Sequence, residues 1–152
     1  MLNKKLLTAA VTAALLSGAG IAQAQEDDGF QISGNVALTS DYRFRGISQS
    51  DTSGAIQGGF DAEFGPGFYV GTWGSSVDFD SNDGYDGSLE LDYYGGWSSA
   101  IGDTDFGIDV GYIYYDYPGD NGDDGVYGEV YVSGSWKDLS ASVNYSDDYY
   151  GG

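Results

Sequence analysis

The side chains that could do chemistry here are almost all carboxylates, with two arginines set among them. The chain carries 24 acidic residues against 5 basic ones, and it has no histidine and no cysteine. Without histidine the usual general base and the commonest transition-metal ligand are missing, and without cysteine there is neither thiol chemistry nor a disulfide framework. Paired carboxylates can in principle work alone, as in glycoside hydrolysis. Carboxylates are so frequent here that no pair stands out, so the reading is not an enzyme and implies no cofactor. Two acidic stretches invite calcium, the run from Asp78 to Gly84 and the run from Asp120 to Gly125. In the first the glycine falls one position late for an EF-hand loop and no glutamate follows five residues on; the second departs similarly. No metal ligands are assigned, and both are read as solvated loops.

Period-two alternation gives the remaining polar residues a common side. The candidates that would line one face are Asp41, Arg43, Arg45, Asp61, Glu63, Glu90, Asp92, Asp109 and Glu129. Arginine binds carboxylate through a planar fork, so Arg43 and Arg45 are expected to pair with carboxylates at the same level of the wall. Two roles stay open for such pairs: a gate or transverse field in a pore, or a structural network in a closed one.

The elements that must hold these residues are strands. Glycine is scattered throughout, which would weaken any helix by ~1 kcal/mol at each position. The first strand is expected from about Phe30 to Gly46, with Phe30, Ile32, Val36, Leu38, Tyr42 and Phe44 opposite Gln31, Ser33, Asn35, Asp41, Arg43 and Arg45. Six more are expected at about Ala55–Phe64, Phe68–Phe79, Ser88–Trp97, Asp105–Tyr115, Val126–Trp136 and Leu139–Tyr145. The third is the least regular, because Tyr69, Trp73, Val77 and Phe79 share one side while Phe68 and Val70 take the other. Long polar connections at 46–54, 80–87 and 118–125 alternate with shorter ones at 65–67, 98–104 and 136–138. Aromatic residues collect at strand ends: Phe30, Phe64, Trp97, Phe106 and Trp136 at one level, and Tyr42, Phe44, Phe79, Tyr112, Tyr114 and Tyr145 at the other. Alternating strands, loop asymmetry and two girdles are the signature of an outer-membrane barrel. A soluble β-sandwich is the plainer account of the same aromatics.

Residues 1–24 are read as a secretory signal peptide. Lys4 and Lys5 begin it, an uncharged run from Leu6 to Leu16 follows, and Ala22-Gln23-Ala24 is a small-x-small cleavage site. Removing Lys4 and Lys5 deepens the net charge from −19 to −21. A chain this acidic has no basic footprint for nucleic acid. Residues 25–152 then form the barrel domain.

The stretch from Asn35 to Ser50, reading Asn-Val-Ala-Leu-Thr-Ser-Asp-Tyr-Arg-Phe-Arg-Gly-Ile-Ser-Gln-Ser, resembles the opening of the TorF-family porins, also catalogued as the Gcw_chp conserved hypothetical proteins. Similar matches lie at Gly71–Val77, Glu90–Gly96, Asp109–Gly119 and Leu139–Val143. The resemblance implies a Gram-negative outer-membrane barrel of porin type, with no particular solute and no catalytic residue. Family members usually run longer, so the sequence is expected to be a C-terminally truncated piece. Seven strands would leave closure incomplete, since bacterial barrels use even numbers from 8 upward.

The expectation is therefore an all-β, antiparallel up-and-down transmembrane barrel of about seven strands in the outer membrane. It would let small hydrophilic solutes or ions diffuse, with a preference for cations because acidic linings select them by charge. Its partners would be outer-membrane lipid and those solutes; the oligomeric state is left unassigned. Two other readings stay open: a closed-lumen structural or surface-interaction barrel, and a soluble secreted β-protein with acidic, calcium-binding loops.

Overall fold

The computed structural model describes residues 20–23, 29–79, 87–119 and 125–149. Most of the predicted signal peptide, and the loops at 80–86 and 120–124 that hold most of the acidic calcium-like runs, lie outside the described residues. Among the described residues every regular element is a strand apart from isolated turns. They are β1 (Gly20–Gln23), β2 (Phe30–Thr39), β3 (Arg43–Phe44), β4 (Ile47–Ser48), β5 (Ala55–Phe64), β6 (Phe68–Ser76), β7 (Leu89–Ala100), β8 (Phe106–Asp116), β9 (Tyr127–Trp136) and β10 (Leu139–Tyr145).

Seven long strands make one antiparallel meander in the order β2-β5-β6-β7-β8-β9-β10, and the short β1 adds to its β2 side. Each long strand pairs with its neighbour in this order, so hairpin geometry sets every register. The sheet is not closed: among the described residues β1 pairs with β2 alone and β10 with β9 alone.

The two faces are reversed relative to a water-soluble sheet. Leu38 is 77% exposed and Phe60 68%, with Val36, Ile56, Val130, Val132, Leu139 and Val143 also open on the same face. On the other face Glu90 is 1% exposed, and Gln57, Ser75, Asp92, Asp109 and Glu129 are buried. Soluble domains bury apolar residues and almost never bury carboxylates fully unless they are paired. Here the alternation of each strand sends them the opposite way.

At the end of the sheet with the short turns, the apolar face carries a row of rings. Phe30 registers with Phe64, Phe64 stacks on Phe68 at 6.2 Å, and Phe68 registers with Trp97. Trp97 donates its ring N–H to the Pro66 carbonyl at 2.9 Å, and Phe106 stacks on Trp136 at 6.0 Å. Towards the other end Tyr93 faces Tyr114, with Tyr112 and Tyr145 also exposed on this face. Of the aromatics expected there, Tyr42, Phe44 and Phe79 are elsewhere: they pack with Trp73, Tyr115 and Tyr117 against the polar face.

For Tyr42 and Phe44 that difference arises because the first strand ends at Thr39, short of the expected Gly46, and for Phe79 because the third ends at Ser76, short of the expected Phe79. Thr39 Oγ1 donates to the Asp41 carbonyl, and the chain then forms the β3–β4 hairpin. Arg45 and Gly46 turn it, with φ of 49° and 88°, the left-handed pair of a type I′ turn. The hairpin keeps period-two alternation while leaving the sheet, so the sequence pattern continues unbroken through the bend. Its base is tied down by Gln49 N–H to the Tyr42 carbonyl, Tyr42 N–H to Ser50 Oγ, and Asp78 N–H to the Gln49 carbonyl.

Candidate functional site

The strand registers lay the polar face out in rows. One row runs Ala37, Gln57, Ser75, Glu90. The next runs Asn35, Gly59, Trp73, Asp92, Tyr115, Tyr127. Below it lie Ser33, Asp61, Gly71, Tyr94, Ile113, Glu129, and below that Gln31, Glu63, Tyr69, Gly96, Gly111, Tyr131. Period-two alternation thus gathers the predicted Asp61, Glu63, Glu90, Asp92, Asp109 and Glu129 onto one surface.

Tyrosines, which the reading of charges alone overlooked, organise that surface. Three of them lie flat, each over a glycine of the neighbouring strand. Tyr94 crosses Gly71 and its hydroxyl bonds Asp61. Tyr69 crosses Gly96, Tyr131 crosses Gly111, and their hydroxyls meet above the paired glycines. Tyr69 also donates to Asp109 at 2.6 Å. A Cβ at Gly71 would fall 2.5 Å from the Tyr94 ring, so the absence of a side chain is what lets the ring lie down. The signal was available: Tyr94 is two residues after Asp92 and Tyr131 two after Glu129, hence on the same side of their strands.

The hairpin covers the upper rows. Tyr42 packs edge-on against Trp73, ring centroids 5.4 Å apart, and donates its hydroxyl to Glu90 Oε1 at 3.2 Å. Phe44 packs on Tyr115 at 5.8 Å. Arg45 reaches Glu129 Oε2 at 2.6 Å, and Tyr115 donates to the same oxygen at 3.4 Å. The hairpin leaves the sheet at β2 and touches β6, β7, β8 and finally β9. At ~4.8 Å per strand, that is a crossing of roughly 24 Å measured along the sheet.

Asp41, Arg43 and Arg45 therefore sit on this crossing segment and not on a long strand of the sheet. Asp41 accepts from Ser48 at 2.6 Å and pairs with Arg43 at 2.6 Å. The Ser48 hydroxyl, followed by Arg43, holds the Asp41 carboxyl below its ordinary value despite some desolvation. Arg43 is exposed and also donates to the Gly46 carbonyl, so it closes the hairpin locally and does not reach across. For Arg45, partial burial works against the charge, but the Glu129 hydrogen bond and charge outweigh it and raise the guanidinium pKa. Burial, and then the charges of Glu90 and Asp92, push the Tyr42 phenol well above its ordinary value, so it stays a donor. Among the described residues no group of three or more acidic, histidine or cysteine side chains is placed to hold a metal ion, and no helix is long and apolar enough to cross a membrane.

Fold and site together define a class: an all-β antiparallel meander with one apolar face and one carboxylate–tyrosine polar face, the latter crossed by an inserted hairpin. Residues 23–152 match the family described as bacterial protein of unknown function (Gcw_chp), and the chain belongs to that family. No curated protein and no solved structure matches it.

Proposed function

We propose that this chain acts in the outer membrane of a Gram-negative bacterium as a porin-like wall, of the TorF type its sequence resembles, for passive diffusion of small hydrophilic solutes or ions. The carrying observation is the reversal of the two faces. Leu38 and Phe60 stand open while Glu90 and Asp109 are buried, an arrangement that suits hydrocarbon outside and a polar interior within. Soluble monomers rarely leave so continuous an apolar surface open, which weighs against a soluble secreted protein. The ring row from Phe30 to Trp136 suits one membrane interface.

Cation preference follows from the lining. Asp61, Glu63, Glu90, Asp92, Asp109 and Glu129 share the polar face, and Arg45 on the hairpin is committed to Glu129. Acidic linings favour cations. A second reading has its own support: the hairpin lies across the polar face and buries Glu90 and Asp92, as a closed structural barrel would require.

Planar-bilayer recording in a potassium chloride gradient tests the proposal. The expected result is a conductance whose reversal potential reports cation preference. An anion-selective current would refute the charge argument. Protein that floats with liposomes yet passes no current would favour the closed reading, and protein that fails to float would end the membrane assignment.

A further inference from the structure

We propose that Glu90 and Asp92 form a binding site for one divalent cation beneath the hairpin. The two side chains lie two residues apart on β7, on the same face, in adjacent rows. Glu90 is 1% exposed and Asp92 6%. Glu90 Oε1 accepts hydroxyls from Tyr42 at 3.2 Å and Tyr117 at 3.4 Å. Its Oε2, and Oδ1 of Asp92, are buried with no hydrogen-bond partner among the described residues.

Basic side chains among the described residues are already engaged elsewhere. Arg45 is held by Glu129, Arg43 by Asp41 and the Gly46 carbonyl, and Lys137 lies over Trp136 at the short-turn end. Each buried, unpaired carboxylate costs several kcal/mol, and two side by side repel as well. One divalent ion would neutralise both. The groups that would hold it are oxygens: the two carboxylates, with the Tyr42 and Tyr117 hydroxyls on Glu90 and Ser75 in register beside it. Oxygen-only donors select hard ions of the calcium and magnesium kind over softer metals. With two carboxylates and the rest neutral oxygen or water, affinity should be weak, with Kd on the order of 10⁻⁴–10⁻³ M. The site deepens the cation-selective reading by naming a station for the favoured ion, and in that respect rests on it. The unpartnered oxygens argue for it without any pore.

Isothermal titration of calcium chloride into the full chain folded in detergent micelles tests this. Wild type should take up one calcium ion saturably at this site, and calcium should raise its thermal midpoint. Glu90→Gln combined with Asp92→Asn should weaken this uptake at least tenfold and abolish the thermal shift, while Asp138→Asn, in the exposed turn between β9 and β10, leaves both unchanged. The single variants Glu90→Gln and Asp92→Asn serve if the pair misfolds, each weakening uptake at least threefold. Absence of saturable uptake by wild type overturns the proposal, as does equal uptake by the amide variants or equal loss in Asp138→Asn. The measurement needs no bilayer: a silent membrane recording would leave calcium uptake standing, and a conducting protein that takes up no calcium would sink this inference alone.

Discussion

Replacing Arg45 by methionine keeps most of the side-chain length and removes the charge, so it isolates the contact between hairpin and sheet. The Glu129 side chain is 3% exposed, and Arg45 Nη2 sits 2.6 Å from its Oε2. Taking one partner from a buried ion pair costs ~3–5 kcal/mol, because the other charge is left stranded. Two features reduce that here. The Arg45 side chain is 39% exposed, so water already screens the pair, and Tyr115 remains within 3.4 Å as a donor to Glu129. We expect a loss of about 1–3 kcal/mol. Loss of the Arg45 contact with the Phe44 ring, at 4.6 Å, adds in the same direction. If hairpin opening is fast relative to cutting, chymotrypsin cleavage after Tyr42 or Phe44 should rise roughly 5- to 150-fold. Urea unfolding in micelles gives the free energy independently. Adding Glu129→Gln should recover much of the loss, since no buried charge is then unmatched. Unchanged cleavage with a stability change below about 0.5 kcal/mol, the ordinary scatter of surface substitutions, would refute the claim that this pair holds the hairpin down. So would a double variant as unstable as Arg45→Met alone.

Two more outcomes test the faces of the sheet. Val132→Lys, on the apolar face between Val110 and Val143, should cost ~2–4 kcal/mol in urea-driven folding into lipid vesicles if the residue meets hydrocarbon; a water-facing valine there would give a change within about 0.5 kcal/mol. Gly71→Ala places a methyl against the Tyr94 ring and should destabilise by about 1–3 kcal/mol, but should be close to neutral in a Tyr94→Ala background; equal effects in both backgrounds would remove the ring-over-glycine account.

The long antiparallel strands were legible in the sequence because a strand with unlike faces must alternate, and Ile108, Val110 and Tyr112 against Asp109 and Gly111 leave little choice. The last strand, Leu139–Tyr145, has the expected bounds. Where polarity and facing separate, the reading blurs. In β6 the polar face carries Tyr69 and Trp73, which count as apolar, so hydrophobicity alone could not assign the sides of that strand; the Asp109 and Tyr42 contacts do. The hairpin was hidden for a related reason. Residues 40–46 alternate as a continuing strand would, and Arg45-Gly46 is a poorer turn signal than Asn-Gly. The pairing of each flat tyrosine with a glycine depends on register, which one strand read alone does not contain.

The separation in sequence between Arg45 and Glu129 is 84 residues, whereas each pairing among the long strands joins consecutive segments across one connection. Short-range pairings form early, because little chain entropy is lost in closing them, and distant ones form late. The meander can therefore assemble strand by strand, but the contact that fixes the hairpin over Glu90 and Asp92 must wait for β9. An early folding intermediate would have its strands paired and its carboxylate face still wet. Burial of Glu90 and Asp92 beneath the hairpin would be the closing event of folding.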